Sequence, residues 1–381
     1  MKILSLIGIL LLLFMTTPTQ AQTPVEPPLD PAMEEPVVEF ARARVLLLEE
    51  LPEEGGVDEF GFPLRSFRAE LELVSGRFRG QVVEITHVLT GTPAYDIVIE
   101  EGDRVLVGVE TVEGELQEVV IADYERDRSL YALTLLFAGM LVGLGGKKGL
   151  KSLLSLIVIG ILILYVFVPF LLRGASPIVL SVAVSAMATI FTILLVGGVN
   201  RKSAAAILGT LGGVSVAGAL AIVVGGATHA SGLSGQEAQM LMFIPQGISF
   251  DFRALLMASI IIGALGAVMD IGMSISSAMT EIRRADPTLS RRALFWSGMN
   301  VGRDVMGTMA NTLILAYTGG SLALLLLVTA YEVPFVRLIN MDSIASEVLR
   351  ALAGSVGLVA AIPVTALAAA WLMRPTAHHR P

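Results

Sequence analysis

Asp270 stands inside the apolar run Ala254–Met279, and Ser274, Ser277 and Glu281 follow it at i+4, i+7 and i+11. That spacing puts all four on one helical face. A second run, NVGRDVMGTMANTLILAYTGG, carries Asn300, Asp304, Thr308 and Asn311 along one face in the same way. An ionised carboxylate at mid-bilayer costs about 2.5–3.5 kcal/mol on insertion scales, so an acid there is a functional-site hypothesis by default. The chemistry it offers is proton or cation handling: desolvation raises the pKa of a carboxyl until it can load and release a proton. The candidate coupling set is Asp270, Ser274, Asn300, Asp304, Thr308 and Asn311, with Asp270 as the coupling carboxylate. The competing reading makes these groups interhelical hydrogen-bonding glue. It is the better one for the hydroxyls of Ser274, Ser277 and Thr308, and Asn311 fits either. Glu281 and Arg303 are candidate interfacial residues, with Arg303 and Asp304 expected to pair at the inner end.

Depth follows from counting. Asp270 lies 17 residues beyond Arg253, roughly 25 Å of helix, so it is expected to be central or somewhat inward. Glu281 and Asp304 are expected near the inner surface, too far from Asp270 for a carboxylate dyad. Two antiparallel helices joined by the basic loop Glu281–Arg292 are expected to pack stripe against stripe, each satisfying the other's polar groups.

Other chemistries are poorly supported. The chain has no cysteine, which removes disulfides, thiolate metal sites and a cysteine nucleophile. It has no His-Glu-x-x-His, no Gly-x-Ser-x-Gly and no histidine within an apolar run to serve as general base. Gly143-Leu144-Gly145-Gly146-Lys147-Lys148 lacks the Gly-Lys-[Ser/Thr] ending of a phosphate loop and reads as a basic turn. Met240 and Met242 supply too few sulfurs for a soft-metal site. The expectation is a protein that is not an enzyme, with no cofactor, no metal and no nucleic-acid partner.

The elements that must position the stripe read as a membrane protein. Of 381 residues 54% are hydrophobic and 16% charged, against roughly 25% charged in soluble domains. Between Gln22 and Arg128 there are 25 acidic and 9 basic side chains, and elsewhere 9 acidic and 17 basic. That asymmetry suggests two compartments. Residues 1–21 have signal-peptide grammar: Lys2, the apolar run Ile3–Met15 and small residues before a plausible cut after Ala21, the alternative being an uncleaved anchor helix, for which thirteen apolar residues are short. Residues 22–39 read as a Pro- and Glu-rich linker. Residues 40–128 alternate with period two, giving candidate strands Arg42–Leu48, Ala69–Leu73, Gln81–His87, Val105–Val109 and Glu118–Ile121. This is a small exported all-β domain, an OB-like barrel or a sandwich.

Residues 129–373 are expected to form seven spans: Leu130–Gly146, Ser152–Leu172, Pro177–Val199, Ala204–Thr228, Ala254–Met279, Val305–Ala330 and Ala345–Met373. Gly319-Gly320 interrupts the sixth. Gly209-x-x-x-Gly213 is helix-packing spacing. With the β domain outside, Lys147, Lys148, Lys151, Arg201, Lys202, Arg283, Arg284, Arg291, Arg292 and the cytoplasmic tail 374–381 all fall inside, as the positive-inside rule asks.

The runs MDIGMSISSAMTEI (Met269–Ile282) and SGMNVGRDVMGTMANTLILAY (Ser297–Tyr317) resemble the YibE/F-like family of bacterial multi-pass membrane proteins. ADYERDRSLYAL (Ala122–Leu133) and ALAGSVGLVAAIPVTA (Ala351–Ala366) fit the same family, over roughly Ala41–Met373. The resemblance implies a bacterial cytoplasmic membrane and no particular reaction. The arrangement of exported domain, carboxylate-bearing helix and basic hairpin also resembles the membrane halves of SecD/SecF and RND proteins, with two extra spans before Pro177. The expectation is therefore a mainly α-helical polytopic membrane protein, a proton- or cation-coupled transporter or export-associated protein. The alternative is an envelope scaffold or sensor whose β domain binds a partner. Its partners are the lipid bilayer and either a second copy or an envelope protein.

Overall fold

The computed structural model describes residues 37–51, 65–92, 96–112, 114–244 and 248–373. The expected signal peptide, most of the linker and the tail lie outside these residues. The chain divides into two units, Met1–Leu133 and Thr134–Pro381.

The first unit is a five-stranded antiparallel sheet of β1 (Val37–Leu51), β2 (Arg65–Leu73), β3 (Val82–Leu89), β4 (Arg104–Val112) and β5 (Glu115–Tyr124), in the order β3-β2-β1-β4-β5. Each expected strand is present; β1, β2, β4 and β5 run past their expected bounds, where polar residues continue the ladder, and β3 starts one residue later than expected and runs two further. The first half of β1 pairs with β4 (Val37↔Thr111 to Arg44↔Arg104) and its second half with β2 (Ala43↔Leu73 to Leu51↔Ser66). A register shift between Val45 and Leu47 bends the strand so that it serves both partners. The result is a half-barrel, the partly open outcome of the OB-like expectation. Its core is the inward set Ala43, Val45, Leu71, Leu73, Val105, Val107 and Ile121.

The second unit is helical. α1 (Asp127–Ile161) runs through a π-helical turn, Leu162–Phe167, into α2 (Val168–Leu172). Gly146 breaks α1 with φ 53° and ψ −132°, a conformation that glycine alone adopts freely. A Cβ on Gly149 would sit 1.9 Å from the Leu141 carbonyl oxygen. In a straight helix those residues would be about 12 Å apart, so the chain folds back here.

Next come α3 (Pro177–Gly197), α4 (Arg201–Ala227), the short α5 (Gln236–Met240), α6 (Phe252–Ala285), α7 (Arg291–Gly320), α8 (Leu322–Ala330), α9 (Phe335–Ile339) and α10 (Asp342–Leu372). Starts are capped as their sequences demand. Asn200, Asp251 and Ser290 side chains accept from the N–H groups of Ser203, Ala254 and Ala293 at 2.9, 2.9 and 3.2 Å. Among the described residues five helical segments are long and apolar enough to cross a membrane, or six if α7 and α8, bent 63° apart, count together as one broken span. The expected span Val305–Ala330 is thus corrected. Its helix begins at Arg291, where Ser290 caps it, and stops at Gly319-Gly320.

α4, α6 and α10 form the centre, flanked by α3 and α7. Small residues bring these backbones together. A Cβ on Gly213 would meet the Gly357 carbonyl oxygen at 2.7 Å, and one on Gly209 would overlap the Thr365 hydroxyl at 1.8 Å. The spacing of Gly209 and Gly213 is therefore a packing device for α10.

Candidate functional site

The face of α6 that meets α4, α7 and α10 buries Ile261, Ala264, Val268, Ile271, Ile275 and Met279. A second stripe, Ser259, Gly263, Gly266, Asp270, Ser274 and Glu281, is exposed, with Ser277 half-buried. α7 buries Leu294, Gly298 and Gly302. Its Asn300, Arg303, Asp304, Gly307, Thr308 and Asn311 are exposed. The expectation that the two stripes pack against each other is corrected. The helices meet through Met279, Ile275 and the glycines of α7, because large apolar side chains fill the space those glycines leave. Both polar stripes are turned outward.

Contacts fix the register. A Cβ on Gly298 would lie 2.5 Å from Met279 Sδ, one on Gly302 3.3 Å from Ile275 Cδ1, and one on Gly263 2.8 Å from the Tyr317 hydroxyl. Paired numbers thus sum to about 577 along antiparallel helices, as 298 with 279 shows. Gly266 then stands level with Asn311, Asp270 with Gly307, Ser274 with Arg303, and Ser277 with Asn300. Asp304 is 13 residues inside α7, about 20 Å from its start. It lies within one helical turn of the depth of Asp270, about 5 Å. The expectation that Asp304 and Asp270 lie at widely different depths is corrected, because α7 starts well before its apolar run.

Among the described residues no hydrogen bond or ion pair reaches Asp270 or Asp304. Arg303 does not pair with its neighbour, correcting that expectation. Its Nη1 donates to Asn300 Oδ1 at 3.2 Å and its guanidinium lies over the Trp296 ring at 5.8 Å. Thr308 donates to the Val305 carbonyl at 2.9 Å, which leaves its oxygen as an acceptor. Glu281 binds Arg284 at 2.8 Å, both exposed. In the loop joining the helices, Thr288 donates its hydroxyl and its N–H to Asp286, holding that carboxyl below the usual carboxylate range. No group of three or more His, Asp or Glu side chains comes together among the described residues.

One charged pair was missed. Glu347 and Arg350 in the first turns of α10 lie 3.7 Å apart with side chains about 30% exposed. Arg350 Nε is buried without a partner. Tyr317 of α7 and Glu347 line one cleft beside them. The signal was present as two opposite charges at i, i+3 inside an otherwise apolar stretch.

Long apolar helices closed around a small-residue core, with a separate β half-barrel before them, define a membrane protein. The chain belongs to the YibE/F-like protein family, whose match covers residues 133–375. The half-barrel precedes the matched region, so the family likeness rests on the helical unit. Nothing among curated proteins or solved structures matches the chain.

Proposed function

We propose that this is a proton- or cation-coupled transporter or export-associated protein of the bacterial cytoplasmic membrane. Asp270 is the group that loads and releases the ion. Asp304, one turn away in depth, is its relay partner. Asn311, Thr308, Ser274, Arg303 and Asn300 supply polar rungs on either side. The observation that carries this reading is the pair of carboxylates, without a partner among the described residues, at nearly one level on the exposed faces of α6 and α7.

On this reading the chain crosses the membrane seven times. The 46-residue α1–α2 segment would be roughly 69 Å long if straight, about twice the hydrocarbon thickness. Its break at Gly146 makes it two crossings. α7 crosses once, and α8 and α9 return to α10 on the same side. The basic loops then face the cytoplasm, with the half-barrel exported and the C-terminus cytoplasmic.

A strip carrying Asp270, Arg303 and Asp304 toward lipid would cost roughly 8–10 kcal/mol on insertion scales. It therefore needs a cover, and we assign that cover to a second copy. A two-fold axis along the membrane normal keeps each residue at its depth, so Arg303 of each copy stands level with Asp304 of the other.

The experiment is proton flux in proteoliposomes for wild type, Asp270→Asn and Asp304→Asn. Wild-type flux abolished by Asp270→Asn is expected. Equal flux in both, or none in either, sinks the proposal. A second reading, a scaffold or sensor, is favoured by the cleft of about 620 Å³ between β3 and β5, where the half-barrel stays open. That reading predicts no flux at all and a partner held by the half-barrel.

A further inference from the structure

At the end of the helical unit opposite Glu347, three separate stretches of chain deliver cations to one cleft of about 840 Å³. Lys148 comes from the turn of α1, Arg201 and Lys202 from the first turn of α4, and Arg283 and Arg284 from the last turn of α6. One acid, Glu281, lines the same cleft and is engaged with Arg284. Lys148, Arg201 and Lys202 have no ion-pair partner among the described residues. Arg283 is held by its Nη1, which donates to the Leu289 and Pro287 carbonyls at 2.5 and 3.4 Å. Its Nε and Nη2 are buried with no acceptor.

Basic residues at this end are expected of any membrane protein that obeys the positive-inside rule. That rule spreads cations around a rim in water. It does not gather five of them on one concavity, nor bury two guanidinium nitrogens without acceptors, which costs a charged group more than a neutral one. A multi-oxygen anion would neutralise the gathered cations, with Lys148, Arg201 and Lys202 free to reach it. Guanidinium forks bind phosphate oxygens in pairs, and the N-terminus of α4 adds its positive dipole end.

We infer that this cleft is a binding site for a phosphate group, independent of the coupling strip on α6 and α7. Phosphate chemistry reaches it from two sources. Basic pockets between transmembrane helices take anionic lipid headgroups, and a soluble phosphate has access from the same side.

The test uses the full chain in nanodiscs, with binding read by thermal stability and native mass spectrometry. One arm compares phosphatidylglycerol or cardiolipin with phosphatidylcholine. The other titrates pyrophosphate against phosphatidylcholine nanodiscs. Saturable binding at one phosphate group per chain is expected. A response to lipid alone assigns the headgroup, and a response to pyrophosphate alone assigns the soluble ligand. The double variant Arg201→Gln/Lys202→Gln should weaken binding about thirtyfold, since each cation near an anionic surface contributes about 1 kcal/mol. Arg291→Gln/Arg292→Gln removes the same charge from exposed positions outside the cleft and should leave binding unchanged. Equal loss in both double variants, or no saturable binding to the wild type, overturns the inference. Lys148→Gln alters an exposed side chain, so it supplies the same test should the first variant misfold.

Discussion

Replacing Asp270 by leucine decides what covers the polar strip. The side chain is exposed on the single chain and has no partner among the described residues, so its removal breaks nothing within the subunit. If the strip faced lipid, the exchange would trade a penalty of about 2.5–3.5 kcal/mol for a gain of about 0.3–0.6, a net stabilisation of roughly 3–4 kcal/mol. If the strip is covered by a polar surface, leucine strands the opposing donor and destabilises the assembly by roughly 1–3 kcal/mol. The two cases differ in sign. The assay is reversible unfolding in bilayer vesicles at fixed protein-to-lipid ratio, because the stability of an oligomer depends on protomer concentration. A loss of stability accompanied by loss of proton flux is expected. A gain of about 3 kcal/mol with flux unchanged would refute both the covered strip and the coupling role.

Gly213→Ala should destabilise by about 1–3 kcal/mol, since its Cβ would stand 2.7 Å from the Gly357 carbonyl oxygen, a backbone atom that cannot swing aside. Gly226→Ala, with nothing within 4 Å, is the near-neutral control in the same unfolding measurement. The absence of native cysteine allows single spin labels at Ser274→Cys and Asp304→Cys. Their immersion depths should agree to within about one turn, 5 Å, and a label at position 304 found at headgroup level refutes the register. The α6–α7 loop should loosen in acid. The Asp286 pKa is lowered in the fold, so its contribution is complete above the ordinary carboxylate value and disappears as pH falls through the lowered one. Hydrogen exchange at Thr288 should follow that course, and Asp286→Asn should flatten it. At the opposite end, Glu347→Gln should destabilise more than Arg350→Met, because the first leaves a half-buried guanidinium without its counter-ion and the second keeps the packed stem. A double-mutant cycle that shows no coupling between them removes the pair from the account.

The sequence conveyed the existence of elements better than their ends. Strands and helices were legible where side chains alternate or cluster by period, as in Ala69–Leu73 or Ala254–Met279. They were not legible where polar residues extend a hydrogen-bonded ladder whose stability is set by the backbone. The most consequential miss was the start of α7. Arg291 and Arg292 look like loop, yet Ser290 caps a helix there, and those turns move Asp304 to the level of Asp270. The facing of the stripe was not legible either. Period alone places Asp270, Ser274 and Glu281 on one side. Which side is buried was decided by glycines at 298 and 302, whose missing side chains let Met279 and Ile275 pack there. Glu347 and Arg350 were legible and overlooked, as charges near a helix start are commonly interfacial.

The packing also indicates where a change of charge on the strip would be felt. α4, α6 and α10 interlock through glycine and alanine contacts in which backbone meets backbone, as at Gly213 and Gly357. Cores packed so closely transmit strain instead of absorbing it. α7 is held differently. Its fully buried positions end at Gly302, and beyond that Val305, Met306 and Met309 are only partly buried against the core. The half of α7 bearing Asp304, Thr308 and Asn311 is therefore the least anchored stretch beside Asp270, and it ends at the 63° bend before α8. Neutralising Asp270 removes a charge that α6 cannot move to accommodate. Under the proposed function the response would fall on α7, whose exposed face would meet the second copy, and ion binding and subunit contact would then be joined through the same helix.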